Sequence, residues 1–290
     1  METDGFLLSS YQNLIDPETG TLLPDIQVAI WDQRDLGSLP ARVIGVEPTL
    51  NLAVLKADVK TPLRAAELDK QRLAEVGKPI FAATRLDPKH PRELNVVRGN
   101  LTGLNDKECY QASLTATMFQ AQMKLSPTLI GAPIYGIDGK IIALYTAYAG
   151  EVSIGEPEDE VHILPIFLAT NIYDSIKRKQ SFESPWTGFS VRSLTPAEAK
   201  VSFPTSRGYR GGIAIEYVWE NSPAERMGIR VGDVLLQIGG ARTSNVGTFQ
   251  KWLYLFGVGR KTQLTFLRDG KEHLTVSYEI EKRPDWARPR

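Results

Sequence analysis

Short apolar runs separated by turn-forming residues dominate the first half of the chain. Segments rich in Val, Ile and Leu recur at residues 26–31, 41–46, 52–56, 79–83 and 140–145, with Gly, Pro and Asp between them. That spacing predicts many short strands, hence a sandwich or a barrel. Asp138-Gly139, between 133–137 and 140–144, predicts a tight hairpin, because the turn needs a positive φ that glycine tolerates best. The period then changes. Ile166, Leu168, Ile172 and Ile176 are spaced like one face of a helix over 163–177, with Pro165 near its start. This helix is expected to close a first domain, and the polar, Ser-rich stretch after it reads as a linker.

A second domain follows. Thr195-Pro196-Ala197-Glu198 has the form of a capping box, in which Thr caps, Pro fits the first turn and Glu reaches back. The same grammar repeats at Ser222-Pro223-Ala224-Glu225, where Gly228 supplies the helix stop. Gly239-Gly240 and Asp269-Gly270 mark two more hairpins. Residues 245–256 read as an amphipathic helix with Phe249, Trp252, Leu253 and Phe256 on its apolar positions. The tail 281–290 is basic, with two prolines and Trp286, and reads as a loose end.

Composition removes several classes. The 290 residues suffice for two domains, and 42% hydrophobic with 23% charged residues is the balance of a chain with packed cores. Lys+Arg and Asp+Glu are equal at 34 each, without a long run of one sign, so charge gives no case for nucleic acid. Cys109 is the single cysteine, which excludes an intramolecular disulfide and a Cys-based zinc cluster; it reads as a small half-buried residue. No apolar run is long enough to span a bilayer. No basic-then-apolar leader opens the chain, so the protein is either cytosolic or lost a leader before this chain was defined. There is no metal-ligand spacing, phosphate loop or dinucleotide fingerprint, and no cofactor is expected. The glycines Gly208, Gly211 and Gly212 beside Arg207 and Arg210 fit a mobile loop before a strand at 212–217.

The second domain resembles a PDZ domain. The run Asn221-Ser222-Pro223-Ala224-Glu225-Arg226-Met227-Gly228-Ile229-Arg230-Val231-Gly232-Asp233-Val234-Leu235-Leu236-Gln237-Ile238-Gly239-Gly240 is similar to that family's S-P-A-x-x-A-G-[IL]-x-x-G-D-x-I-x-x-[VI]-[DN]-G. The first domain resembles the trypsin-like domain of the HtrA/Deg family. Asp4-Gly5-Phe6-Leu7-Leu8-Ser9-Ser10-Tyr11-Gln12 is similar to D-G-Y-I-L-T-N-x-H, and Asn51-Leu52-Ala53-Val54-Leu55-Lys56 to D-L-A-V-L-K. Gly131-Ala132-Pro133 with Asp138-Gly139 is similar to G-G-P-L-x-x-x-x-G, and His162-Ile163-Leu164-Pro165 to F-A-I-P. The resemblance implies a mainly β fold: a trypsin-like double six-stranded β-barrel, then a PDZ domain, a β-sandwich or partly open barrel with two helices. The implied division is 1–178 for the protease-like domain, 179–185 for the linker, 186–281 for the PDZ domain and 282–290 for the basic tail. Only a few residues precede the histidine segment, so the first barrel is expected to be incomplete, clipped, or completed by another segment or chain.

Carried over residue by residue, the resemblance places Gln12 at the histidine, Asn51 at the aspartate and Ile130 at the serine. A glutamine amide cannot accept a proton near neutral pH. A neutral amide cannot stabilise an imidazolium, a change that costs about 10⁴ in turnover in an otherwise intact triad. Isoleucine has no lone pair. Thr128 replaces the glycine of the oxyanion loop, and a β-branched residue resists the backbone geometry such loops use. The implied function is that of a catalytically inactive pseudoprotease, a scaffold, adaptor or assembly subunit. The alternative is an active or chaperone-type serine protease with a site rearranged to Ser126 and His162; the other histidines, His90 and His273, lie in a loop and in the PDZ-like domain.

What the resemblance leaves for function is binding. PDZ domains add an extended peptide as a strand and hold its carboxylate on the N–H groups of a tight loop. Here that loop would be Trp186-Thr187-Gly188-Phe189, the pairing strand would begin Ser190-Val191, and the facing helix would present Val246, Phe249, Gln250 and Leu253. Docking onto a fixed partner, with Phe249 filling the groove from inside, is the competing use. The expected partner is a protein or peptide, with no nucleic acid and no membrane span in this chain. The family's trimer is not carried over, because the residues that build it are largely missing. The resemblance implies a periplasmic or otherwise extracytoplasmic home.

Overall fold

A computed structural model describes residues 3–29, 38–69, 74–84, 94–108, 117–126, 129–146, 159–203 and 211–287. Cys109, His90, Thr128, Arg207, Gly208 and Arg210 lie outside the described residues. The chain divides into two compact units. One comprises Met1–Leu104 with Met118–Phe182, and the other Asn105–Thr117 with Glu183–Arg290.

The first unit opens with an antiparallel sheet of β1 (Phe6–Ser10), β2 (Ile26–Ala29), β3 (Ser38–Glu47) and β4 (Leu52–Ala57), in the order β1-β4-β3-β2. Among the described residues this first sheet has four strands. Leu7, Leu14, Ala53, Leu55 and Ala57 form its core. Six more strands close into a barrel: β5 (Pro79–Thr84), β6 (Asn95–Glu108), β7 (Thr117–Gln122), β8 (Pro133–Tyr135), β9 (Ile141–Leu144) and β10 (Glu160–Pro165). Their order is β10-β7-β6-β5-β8-β9. Closure leaves no free edge, and the inward positions fill with Ile80, Leu101, Phe119, Ile134 and Ile163. The Asp138-Gly139 hairpin forms as expected, with Gly139 at φ 76° and β8 paired to β9.

The helix α1 (Ile166–Lys179) starts three residues later than its periodicity suggested. Ile163 and Leu164 belong to β10, buried on the barrel, and Pro165, at φ −57° and ψ 134°, stands as the cap. Ile166, Leu168, Ile172 and Ile176 are buried, as the spacing demanded, joined by Ala169 and Tyr173.

In the second unit β12 (Phe189–Ser193), β13 (Ile213–Val218), β14 (Val234–Ile238), β16 (Lys261–Arg268) and β17 (Glu272–Glu279) run side by side in that order, and β15 (Ala241–Arg242) pairs with β14. Two short strands, β11 (Pro185–Trp186) and β18 (Glu281–Lys282), pair separately. The helices are α2 (Pro196–Ser202), the single turn α3 (Pro223–Arg226) and α4 (Val246–Phe256). The first capping box forms in full: Thr195 Oγ1 accepts from the Glu198 N–H, and Glu198 accepts from the Thr195 N–H. The second is displaced. Ser222 Oγ accepts from the Glu225 N–H, but Glu225 reaches one residue further back, to the Asn221 N–H. On α4, Phe249 and Leu253 are buried as expected. Trp252 and Phe256 are only partly covered, and Tyr254 is buried instead.

The tail is not loose as far as Ala287. Glu281–Lys282 form β18 against Pro185–Trp186, and Trp286 lies edge-on to Trp186 at 5.5 Å. Proline and charge made the segment read as irregular, but its partner strand lies nearly a hundred residues away, which local sequence cannot reveal.

Candidate functional site

The candidate residues fall in two places, one in each unit. In the first, the chain leaves β1 through a tight 3-10 turn, Tyr11–Leu14, that carries Gln12. A second such turn, Pro48–Leu50, ends on Asn51 at φ 53°, a left-handed conformation that asparagine tolerates better than most residues. Asn51 is fully buried. Its Oδ1 accepts from the Gln12 N–H at 2.8 Å, and its Nδ2 donates to the Thr146 carbonyl at 2.9 Å. The Asn51 carbonyl accepts from the Tyr11 N–H at 3.1 Å. One side chain therefore joins the first sheet to the chain just after β9. A carboxylate could accept from Gln12 but has no proton for Thr146, so the bridge requires an amide or a neutral acid.

Ile130 enters the same place from the barrel side. Its carbonyl accepts from Asn13 Nδ2 at 2.8 Å, while its side chain, 7% exposed, is part of the barrel core with Leu129, Ala132, Phe119 and Tyr145. Gly131 follows at φ 93°, close against Ser10 and Asn13, and donates to the Tyr145 carbonyl at 2.7 Å. Gln12, Asn51 and Ile130, three positions scattered over 119 numbers of sequence, are thus brought together through Asn13 and Asn51. Around them the Ser10 and Thr146 hydroxyls and Gln12 Oε1 are buried without a hydrogen-bond partner among the described residues. Asn13 and Thr146 were not foreseen; Thr146 acts through a backbone carbonyl, which no residue type announces.

Ser126 is exposed, at the end of the described stretch before 127–128. His162 sits on β10 opposite Gln120, 8% exposed, with Nε2 unpartnered among the described residues. Its neighbour Gln120 is engaged with Glu160 at 2.8 Å.

The second place is the edge of the second sheet. β12 pairs with β13 on one side, and α4 packs alongside it. Phe189 of β12 stacks on Phe249 of α4, with ring centroids 5.8 Å apart and planes 25° from parallel. Both rings are buried, as are Val246 and Leu253; Val191, Ser190 and Gln250 are half-buried. Thus the inner end of the slot between strand and helix is occupied by the protein's own aromatic pair. At the other end the Val246 N–H donates to Ser193 Oγ at 3.1 Å, tying the start of α4 to the end of β12.

The loop leading into β12 is held firmly. Trp186 and Thr187 are buried, and Gly188 adopts φ 80°. A Cβ on Gly188 would come within 2.5 Å of Ser222 Cβ, so both φ and space require glycine. The Gly188 carbonyl accepts from the Trp219 N–H at 3.0 Å. Trp219 and Trp286 both contact Trp186, and Tyr278 donates its hydroxyl to the Trp186 carbonyl. Burial pushes the Tyr278 hydroxyl well above its usual range, which keeps it protonated as a donor.

Residues 186–278 match the family profile of the PDZ domain. The chain is 23% identical over 270 residues to a probable periplasmic serine endoprotease DegP-like of Marinomonas sp., covering 90% of this chain and 52% of that protein. It is 23% identical over 236 residues to the serine protease Do-like HtrA of Lactobacillus helveticus, covering 80% of this chain and 57% of that one. The chain therefore spans little more than half the length of these curated relatives. Among solved structures, the HtrA-type protease AlgW with tripeptide superposes with a TM-score of 0.73 at 24% identity, covering 98% of this chain and 88% of that one. The serine endoprotease from Yersinia pestis superposes at 0.62 and 18% identity, covering 98% and 87%. The fold is accordingly that of the HtrA-type proteases, a trypsin-like barrel domain followed by a PDZ domain.

Proposed function

We propose that this chain is a non-catalytic HtrA-like pseudoprotease that binds a protein or peptide, as a scaffold, adaptor or assembly subunit. The observation that carries the reading is the joint state of Gln12, Asn51 and Ile130. The three meet in one place, as a catalytic triad would. The base position holds an amide, the orienting position is an amide committed to a carbonyl, and the nucleophile position is an alkyl group packed in a core. At those three positions neither a proton acceptor nor a nucleophilic group is present, so acyl transfer has nothing to start from in them. Binding would fall to the second unit. An extended peptide would add to the edge of β12, its carboxylate on the N–H groups of Thr187 and Gly188, with Ser190 and Val191 pairing and Val246, Gln250 and Leu253 facing it. The Phe189–Phe249 pair would form the floor beneath its last side chain. The relatives named as periplasmic support an extracytoplasmic place of work.

A second reading, an active protease with a rearranged Ser126–His162 site, draws on the buried Nε2 of His162, which has no hydrogen-bond partner among the described residues. A fluorophosphonate probe separates the two. The pseudoprotease reading expects no specific labelling. Labelling abolished by Ser126→Ala would overturn it.

A further inference from the structure

The aromatic contacts around Trp186 do more than fill space. Two routes lead from the segment after β17 to the loop 186–189. The first is direct: β18 pairs with β11, the Arg283 N–H donates to the Ser184 carbonyl at 2.8 Å, and Trp286 stands edge-on to Trp186. The second runs through α3. Arg226 pairs with Glu281 and donates to the Asn221 carbonyl at 2.8 Å, and the next residue, Ser222, is the wall against which Gly188 packs. Trp286 is 65% exposed, so it buries little apolar surface of its own. Such a residue adds little to global stability, yet it covers one edge of Trp186, whose carbonyl and ring are already fixed by Tyr278 and Trp219.

We propose that Trp286 is a positioning residue: with β18 it braces the loop 186–189 so that the Thr187 and Gly188 N–H groups stay aimed at a ligand carboxylate. The physical reason is preorganisation. A loop whose N–H groups must be ordered on binding loses affinity by the cost of that ordering, and an edge-to-face aromatic contact removes part of it beforehand. The inference rests on the peptide-binding reading above for its ligand, but not for its effect on the loop.

The test uses the whole chain with three variants, Trp286→Ala, Trp286→Phe and Arg226→Ala. Amide hydrogen exchange at Trp219, whose N–H donates to the Gly188 carbonyl, reads the loop without any ligand. Exchange there should quicken about tenfold in Trp286→Ala, return towards the parent in Trp286→Phe, and rise in Arg226→Ala, while the amides of β14 and β16 keep their rates. Unchanged exchange at Trp219 would overturn the brace. Fluorescence anisotropy with a pool of labelled decapeptides ending in an apolar residue, as free acids and as C-terminal amides, reads the consequence. The free acids should bind the parent and bind Trp286→Ala about tenfold more weakly. Equal binding to both would overturn the positioning role. If no free acid binds the parent, the peptide-binding reading falls, and the exchange result still decides the brace.

Discussion

Replacing Asn51 by aspartate tests the amide bridge most directly. The side chain has no solvent exposure, accepts from Gln12 at 2.8 Å and donates to Thr146 at 2.9 Å. A carboxylate there keeps the first contact and sets an anionic oxygen against a carbonyl oxygen in place of the second. Among the described residues no cation is a hydrogen-bond partner of this side chain. The group escapes by taking up a proton, since a neutral carboxyl can donate to Thr146 just as the amide does. From an ordinary value near 3.9, protonation at pH 7 costs about 4 kcal/mol, and that is the ceiling on the penalty. The floor is the loss of one buried hydrogen bond, about 1–3 kcal/mol. The folded-state pKa of the new carboxyl is therefore raised. With it above the unfolded value, the native state holds the extra proton, so the penalty is absent below about pH 4 and grows as pH rises through the folded pKa. Urea unfolding followed by far-UV circular dichroism from pH 4 to pH 8, for the parent, Asn51→Asp and Asn51→Ala, gives the comparison. Asn51→Asp should approach the parent at the acid end, while Asn51→Ala should be destabilised at every pH. Parent-like stability of Asn51→Asp at pH 7, or a deficit that ignores pH, would refute the bridge.

Ile130→Ser should lower the melting temperature, with a loss of about 3 kcal/mol for emptying a buried isoleucine site, and should not react with a fluorophosphonate because Gln12 cannot take its proton. Gly188→Ala should abolish binding of free-acid peptides and lower stability by at least ~1 kcal/mol, since φ 80° and the Ser222 contact both oppose a Cβ; a variant with parent melting temperature and parent binding would show that the loop adapts. Arg192, with help from the Thr195 cap, holds the Glu198 carboxyl down at about 2. Its folded pKa lies below the ordinary glutamate value, so this contribution to α2 is present above about pH 4 and lost as pH falls through about 2. An NMR titration of Glu198 should show that low midpoint, and Arg192→Ala should raise it; no change would remove Arg192 as the cause.

Local chemistry in the sequence determined a good deal. The hairpins at Asp138-Gly139, Gly239-Gly240 and Asp269-Gly270 all form, with Gly139, Gly239, Gly240, Asp269 and Gly270 at positive φ, because short hairpin loops depend on the residues within them. The Thr195 box and the buried stripe of α1 followed from spacing alone. The start of α1 did not, because Ile163 and Leu164 suit a helix or a strand equally, and only pairing with β7 and β9 decides between them. Gln12, Asn51 and Ile130 were visible as residue types. What each does was decided only by the tertiary structure: Asn51 spans two sheets through a backbone carbonyl, and Ile130 turns into a core. The tail shows the same division. Its prolines and charges suggested a loose end, but a strand partner at 185–186 and an aromatic neighbour a hundred residues away hold it in place. Turn type and helix stripe are set by residues a few places apart, whereas strand pairing and buried bridges depend on which distant segments meet.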